Sequence, residues 1–341
     1  MTLLLSPENK NIIASSSFLV TGGAGFIGSH IAECLLQNGA KKVRVLDNLS
    51  TGFEENLAPF YNYINFEFVK GDIRDIETCQ MSCLDIDYVF HQAALGSVPR
   101  SINDPLTTNA VNITGQLNIL VACRDQRVKR LIYAASSSTY GDSASLPKKE
   151  DIIGKPLSPY AVTKYVNELY ADVFYKTYGL ESVGLRYFNV FGPRQSPKGS
   201  YAAVIPLFIE AIAANKPPYI NSDGEQTRDF TYVDNVVEAN MLALFCSNKK
   251  AINQVFNIAA GERTSLNQLF AIISTLLEKP HLKPIYREGR QGDIRDSLAD
   301  ISKAKTLLGY APKYSVKEGL FEHINLIKSN YNLQSASRTF I

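Results

Sequence analysis

The most constraining stretch of the 341-residue chain is the glycine turn Thr21-Gly22-Gly23-Ala24-Gly25-Phe26-Ile27-Gly28. A short apolar run, Phe18-Leu19-Val20, precedes it, and an amphipathic stretch through Leu36 follows. A second apolar run, Val43-Arg44-Val45-Leu46, ends at Asp47, 19 residues beyond Gly28. Strand, glycine turn, helix, strand and terminal acid in this order are what a dinucleotide-binding unit requires. The glycines let the backbone approach a pyrophosphate, and the helix N-terminus offers it free N–H groups and the positive end of a dipole. An acid ending the second strand accepts hydrogen bonds from the adenosine ribose and repels a 2′-phosphate, so NAD is expected in preference to NADP.

The strand–helix rhythm continues. Phe66-Glu67-Phe68-Val69 leads into Gly71-Asp72-Ile73, and Tyr88-Val89-Phe90-His91 into Gln92-Ala93-Ala94. Arg130 to Ala135 leads into Ser136-Ser137-Ser138, and Val183 to Tyr187 into Phe188-Asn189. Each short apolar strand ends in small or polar residues. In an open parallel sheet those ends converge on one ligand crevice. The expected fold is therefore α/β, a Rossmann-type doubly wound parallel sheet with a smaller α/β substrate domain. Asp72 is expected near the adenine. Ala93 and Ala94 are small, as suits backbone that passes close to a cofactor.

After Asn189 the rhythm changes. Pro193 to Gly199 is turn-rich, Ala202 to Ala214 is a helix candidate, and Tyr219 to Val233 reads as a hairpin-like unit around Ser222-Asp223-Gly224. The expected division is an N-terminal extension over 1–16, lying polar and irregular on the surface. An NAD-binding domain follows over 17–188 and 228–260, and a second, smaller domain over 189–227 and 261–330. Residues 331–341 read as a loose tail.

Composition excludes several classes. With 35 basic and 33 acidic residues, the chain has no electrostatic footprint for nucleic acid or an anionic membrane. Its apolar runs fall short of the ~20 residues that a membrane helix needs. Leu3-Leu4-Leu5 is followed at once by Pro7, Glu8 and Lys10, which leaves no signal-peptide core. The five cysteines are scattered, with no spacing for a zinc site, so buried free thiols in a reducing cytoplasm and no protein-bound metal are expected.

Ser158-Pro159 reads as a helix start, and Tyr160 and Lys164 stand four apart on the helix that follows. They can project side by side into one cleft, where an ammonium should pull the phenol below its usual pKa of about 10. Glycine turn, serine run and Tyr-x-x-x-Lys in this order resemble the short-chain dehydrogenase/reductase superfamily. The length and second domain resemble its extended branch, which acts on nucleotide sugars. The resemblance covers roughly residues 17 to 330. Three stretches, His91 to Ser101, Ala135 to Gly141 and Arg186-Tyr187-Phe188-Asn189-Val190-Phe191-Gly192, are similar to bacterial UDP-N-acetylhexosamine 4-epimerases of surface-polysaccharide synthesis.

The resemblance implies roles for particular residues. Gly22, Gly25 and Gly28, with Phe26 and Ile27 between them, match the cofactor loop. Asp47 matches the ribose acid, and Asn48, Asp72, Ile73, Ala93, Ala94 and Tyr187 complete the cofactor set. Tyr160 matches the catalytic base and Lys164 its partner, which also holds the nicotinamide ribose. Ser136 matches the catalytic hydroxyl. Gly96, Ser97, Ser137, Ser138, Asn189 and Ala203 match sugar-side positions, and Arg228, Arg290 and Asp293 the nucleotide clamp. Relatives confined to non-acetylated hexoses carry a bulky Tyr at the position of Ser297, so Ser297 leaves room for a 2-acetamido group.

The implied chemistry is oxidation of the sugar at C4, rotation of the 4-keto sugar, and reduction from the other face. A 4,6-dehydratase or a decarboxylase begins with the same oxidation. The dehydratase branch places an acidic pair where this chain has Ser137 and Ser138, and decarboxylases carry a Glu nearby. A non-catalytic NAD-binding sensor remains a third reading, set against the presence of Ser136, Tyr160 and Lys164 together. Residues 105–126 and 158–178 read as long amphipathic helices, and the resemblance implies a homodimer through a four-helix interface.

Overall fold

The structure is a computed structural model and describes residues 5–197, 202–289 and 295–338. Seven parallel strands form the central sheet: β1 (Ser17–Thr21), β2 (Lys42–Asp47), β3 (Phe66–Lys70), β4 (Tyr88–His91), β5 (Arg130–Ser136), β6 (Ser182–Tyr187) and the later strand Gln254–Ile258. Read across the sheet, the order is β3, β2, β1, β4, β5, β6, then Gln254–Ile258. The chain reverses direction between β1 and β4, and the crevice above that point is where a doubly wound sheet binds its ligand.

Alternation along the strands builds two cores. Phe18 and Val20 of β1 pack on one face, against Ile31, Ala32 and Leu35 of the helix that follows the glycine turn. Leu19 packs on the other, with Val89, Ile119 and Cys123. The helices are α1 (Pro7–Ser15), α2 (Phe26–Gln37), α3 (Ile76–Cys83), α4 (Val98–Asn103), α5 (Pro105–Asn109), α6 (Gly115–Asp125), α7 (Pro159–Tyr178), α8 (Val204–Ala213), α9 (Val233–Phe245), α10 (Leu266–Leu276), α11 (Ser302–Leu308) and α12 (Val316–Arg338). Helices α2 and α9 cover one face of the sheet, and α3, α6 and α7 the other.

Helix α7 shows how the sequence fixes the site. Ser158 Oγ accepts the Ala161 N–H at 3.1 Å, Pro159 occupies the first turn, and Gly179 ends the helix at φ 71°. Loss of the Ser158 cap would cost about 1 kcal/mol. Ala161, Lys164, Glu168, Ala171 and Phe174 face inward along one stripe. Burying Phe174 contributes about 1.5–3 kcal/mol.

A third core lies beside the sheet, where Ile205, Phe208 and Ile212 of α8 meet Phe191, Ile220, Phe230, Leu269 and Leu320. Three two-stranded pieces frame it: β7 (Val190–Phe191) with β10 (Thr231–Tyr232), β9 (Thr227–Arg228) with β12 (Thr264–Ser265), and β8 (Tyr219–Asn221) with β13 (Ile285–Arg287). The central-sheet strand Gln254–Ile258 is accordingly β11.

Three expectations need correction. Within the stretch 1–16, residues 7–15 are not irregular: α1 is capped by Ser6, whose Oγ accepts the Asn9 N–H at 3.2 Å, and Ile13 is fully buried in the core beside α2. One apolar residue aimed at the sheet outweighed a polar composition. The stretch after Tyr331 continues α12 to Arg338, because no Gly or Pro interrupts the chain after Gly319 while Leu320 and Ile324 anchor the helix in the third core. The unit Tyr219 to Val233 is not a hairpin. Between its strands Ser222 and Gly224 take positive φ, and each strand pairs with a segment distant in sequence.

Candidate active site

At Gly22 and Gly28 the turn is packed too closely against backbone to admit a Cβ. A Cβ on Gly28 would lie 2.2 Å from the Gly22 carbonyl oxygen, and one on Gly22, at φ +68°, 2.7 Å from Ala93 N. Gly25 caps α2 without a side-chain hydrogen bond, so the first N–H groups of the helix face the crevice uncapped. A cavity of about 530 Å³ opens there. Gly22, Gly25, Phe26, Ile27 and Gly28 line its floor, and Asp47, Asn48, Asp72 and Ile73 the side beneath β2 and β3. Ala93, Ala94 and Gly96 line it after β4, and Ser136, Ser137, Tyr160, Lys164, Tyr187 and Asn189 close the other side.

Asp47 is nearly buried; its two oxygens accept the Ala24 N–H at 3.0 Å and the Leu49 N–H at 2.8 Å. Burial pushes this carboxyl up, and the two backbone bonds pull it back. Asp72 is gripped by Arg74 through both carboxylate oxygens and bonded by Asn48 Nδ2 at 2.7 Å. The Arg74 side chain is the main reason its pKa falls to about 2.

The inner end carries the acid–base groups. Ser136 ends β5, and its Oγ accepts the Ser138 N–H at 3.2 Å and the Ser138 hydroxyl at 2.9 Å. Ser138 thus stands behind Ser136 and does not line the cavity. Tyr160 and Lys164 project one helical turn apart. The expected lowering of the phenol is not found: burial raises it, and the hydrogen bond with Ser136 offsets part of that rise. Lys164 does not reach the phenol as a bonded cation. Its Nζ donates to the Ala134 carbonyl at 2.8 Å, and burial brings its pKa down to about 8 against the pull of Glu168. Desolvation outweighs the charge effect here.

A second cavity of about 620 Å³ adjoins the first, and Asn189 lines both. Its side-chain amide donates to the Asp229 carbonyl at 3.0 Å, and its φ is 35°. Arg228, Phe208 and Phe230 line the second cavity, with the Arg287 guanidinium lying over the Tyr219 ring at 3.6 Å. Ser97, at φ 131°, caps α4 by accepting the Arg100 N–H, and Ala203 is the exposed residue before α8; neither lines these cavities. Ser297 is half-buried and likewise outside both linings, its N–H on the Thr227 carbonyl at 3.2 Å. Arg290 and Asp293 lie outside the described residues.

Sequence reasoning missed several supports. Asn112 sits in a single π-helical turn, Ala110–Thr114. It accepts the Leu95 N–H at 2.8 Å, donates to the Leu95 carbonyl at 3.1 Å, and so fixes the loop after β4. Gln92 and Asn240 hold the Tyr187 hydroxyl. Arg186 and Glu168 form a buried two-pronged ion pair at 2.8 and 2.7 Å, pinning α7 to β6. The four-residue spacing from Lys164 to Glu168 was the available signal for the last.

A doubly wound sheet with a glycine cradle at its reversal point defines a dinucleotide-binding α/β protein. The chain belongs to the NAD dependent epimerase/dehydratase family, whose signature matches residues 18–259. The UDP-glucose 4-epimerase of Mycolicibacterium smegmatis is 36% identical over 313 residues, 91% of this chain and 98% of that protein. A UDP-N-acetylglucosamine 4-epimerase from Methanobrevibacter ruminantium, solved with UDP-N-acetylmuramic acid, is 43% identical. It superposes with a TM-score of 0.86 over 92% of this chain and 99% of its own. The UDP-glucuronic acid 4-epimerase of Bacillus cereus, solved with UDP-glucuronic acid and NAD, is 34% identical, with a TM-score of 0.84 over 92% and 100%.

NAD is the cofactor of this family, and the residues present fit it. The glycine cradle leaves backbone N–H groups facing the cavity, and Asp47 keeps lone pairs for ribose hydroxyls beyond its two backbone bonds.

Proposed function

We propose that the chain is a UDP-N-acetylhexosamine 4-epimerase, interconverting UDP-GlcNAc and UDP-GalNAc or the corresponding uronates with tightly bound NAD. The observation that carries this reading is the meeting of Ser136, Tyr160 and Lys164 in one cavity, joined through Asn189 to a second large enough for a nucleotide diphosphate. In this reading residues 17–188 and 228–260 hold the cofactor, and residues 189–227 and 261–330 the sugar nucleotide.

When bound, NAD supplies a nicotinamide that takes and returns a hydride. The chain's own residues manage the proton and the geometry. Tyr160 removes the proton from the sugar's C4 hydroxyl, and Ser136 holds the same oxygen by a hydrogen bond. Lys164, fixed by the Ala134 carbonyl, keeps a positive charge beside the reacting oxygen. Asn189 and Arg228 anchor the diphosphate side while the 4-keto sugar turns over, and Tyr160 returns the proton.

Dehydration or decarboxylation needs a further acid–base group beside Ser136. Among the described residues, the carboxylates that line this cavity are Asp47, at the end of β2, and Asp72, just after β3, strands at least three places from β5 in the sheet. Ser137 cannot replace them near neutrality. The experiment is kinetics side by side on UDP-GlcNAc, UDP-Glc and the UDP-GlcNAc uronate. The reading expects inversion at C4 with an acetamido sugar preferred; preference for UDP-Glc would overturn the substrate assignment.

Ser297 is the proposed gate for the acetamido group. A Tyr in a volume the rotated sugar must use costs about 1–3 kcal/mol of overpacking, roughly 5–150-fold. Ser297→Tyr should therefore lower epimerisation of UDP-GlcNAc by that factor more than epimerisation of UDP-Glc. Equal losses on both substrates would remove Ser297 from the account.

A homodimer is part of the proposal. Val162, Leu169 and Val173 form an exposed apolar stripe on the outer face of α7, and Ile102 and Leu106 lie exposed on α4 and α5, which pack against α7. Pairing these faces across a two-fold axis makes a four-helix interface. Light scattering should give twice the chain mass, and Leu169→Glu with Val173→Glu should give monomer. A wild-type monomer at micromolar concentration would contradict the pairing.

The enzyme's proposed setting is the cytoplasm, where thiols such as Cys34, Cys79, Cys83 and Cys123, all free and buried, stay reduced. No described helix is long and apolar enough to cross a membrane.

A further inference from the structure

We propose that Asp229 is a positioning residue for the diphosphate side of the site, a single buried carboxylate that ties the segment carrying Ser297 to the end of the central sheet and holds the strand from which Arg228 projects. The inference rests on the sugar-nucleotide reading above.

Asp229 is fully buried. Its Oδ1 accepts the Ala260 and Gly261 N–H groups, just beyond β11, at 3.1 and 3.2 Å. Its Oδ2 accepts the Ala299 N–H at 3.1 Å, two residues after Ser297. Its main-chain carbonyl takes the Asn189 amide at 3.0 Å. Close by, Thr231 donates its N–H to the Asn189 carbonyl and its hydroxyl to the Phe188 carbonyl. Asp229 therefore connects three stretches that are far apart in sequence: its carboxylate joins the sheet end to the 295–300 segment, and its main chain holds Asn189, which lines both cavities.

The chemistry favours that role. A buried carboxylate is stabilised by the donors aimed at it, and three backbone N–H bonds are strong and directional. Burial raises the Asp229 pKa to about 7 against the pull of those three bonds, with the Glu262 charge adding to the rise. Other bonds along 295–300 reinforce the register: Thr227 Oγ1 donates to Asp296 at 2.6 Å, Lys148 pairs with Leu298 and Asp300, and Asn257 Nδ2 of β11 donates to the Asp300 carbonyl at 3.1 Å. Asn257 thus holds Asp300 to β11 itself, while the Asp229 carboxylate bonds both Ala299 and the Ala260–Gly261 turn beyond the strand.

The test uses the NAD-loaded full chain. Asp229→Asn preserves shape but turns an N–H donor toward one set of N–H groups. The expected result is a rise of ~10-fold or more in KM for UDP-GlcNAc and in Kd for UDP, with kcat within about threefold and NAD content per chain unchanged. Ala299→Pro removes the N–H that Oδ2 accepts, fixes φ at 299 and restricts Leu298, but leaves the carboxylate and its Oδ1 bonds in place; it should move KM in the same direction by a smaller factor, and it decides the question if Asp229→Asn does not fold. Unchanged KM and UDP affinity overturn the proposal, as does a parallel loss of NAD, which marks a general structural role. A wild-type chain that fails to bind UDP instead overturns the sugar-nucleotide reading beneath it.

Discussion

Tyr160→Phe should lower turnover by ~100-fold or more while NAD content and UDP-sugar affinity stay near wild type. The substitution removes one oxygen from a side chain whose ring keeps its place on α7. That helix remains fixed by the Ser158 cap and by the Glu168–Arg186 pair. The pH profile supplies a second reading. Burial holds the Tyr160 phenol above its ordinary value, so its basic form grows as pH rises. Lys164, brought down to about 8, still holds its proton below that pH. Wild-type turnover should therefore rise with pH below about 8 and stop rising where Lys164 begins to lose its charge. Such limbs belong to the pair as a whole and not to either residue alone. Tyr160→Phe should flatten the rising limb. Near-normal turnover in this variant would remove Tyr160 as the base.

Gly28→Ala should abolish NAD retention, and activity with it. The added methyl would lie 2.2 Å from the Gly22 carbonyl oxygen and 2.8 Å from its carbon, both backbone atoms that cannot swing aside. Relief requires the turn to open, which displaces the N–H groups that face the cavity. A shift of about 1 Å in a phosphate cradle is enough to cost on the order of 100-fold. The purified variant should lack the absorbance and stoichiometry of bound NAD while the sheet still forms, read by circular dichroism. A Gly28→Ala protein that purifies with one NAD per chain would show that the turn is not the cofactor cradle.

The two variants fall on the part of the molecule that was readable in advance. The glycine turn and its acid were legible because their spacing reflects a backbone requirement, and Tyr160 and Lys164 because one helical turn separates them. What the sequence hid depends on distant partners. Ser138 has the same type and nearly the same position as Ser136, yet only the folded loop turns its hydroxyl back onto Ser136. The phenol's proton affinity followed burial, which local spacing does not report. Strand β8 had a turn after it and a strand beyond, as a hairpin has, but its partner β13 lies more than sixty residues on. Asp229 sits between Arg228 and Phe230 in a segment that read as part of a hairpin-like unit. Its importance comes from three N–H groups supplied by residues 31 to 70 positions away.

The most direct measurement is the fate of a label at C4. NAD-loaded enzyme would be given UDP-GlcNAc deuterated at C4, and the product followed by NMR and mass spectrometry. Hydride removal and return inside one cavity predicts UDP-GalNAc of unchanged mass, with the deuterium still on C4 and none lost to water. A product lighter by one water, deuterium exchanged into solvent, or substrate recovered uninverted beside bound NAD would contradict the account.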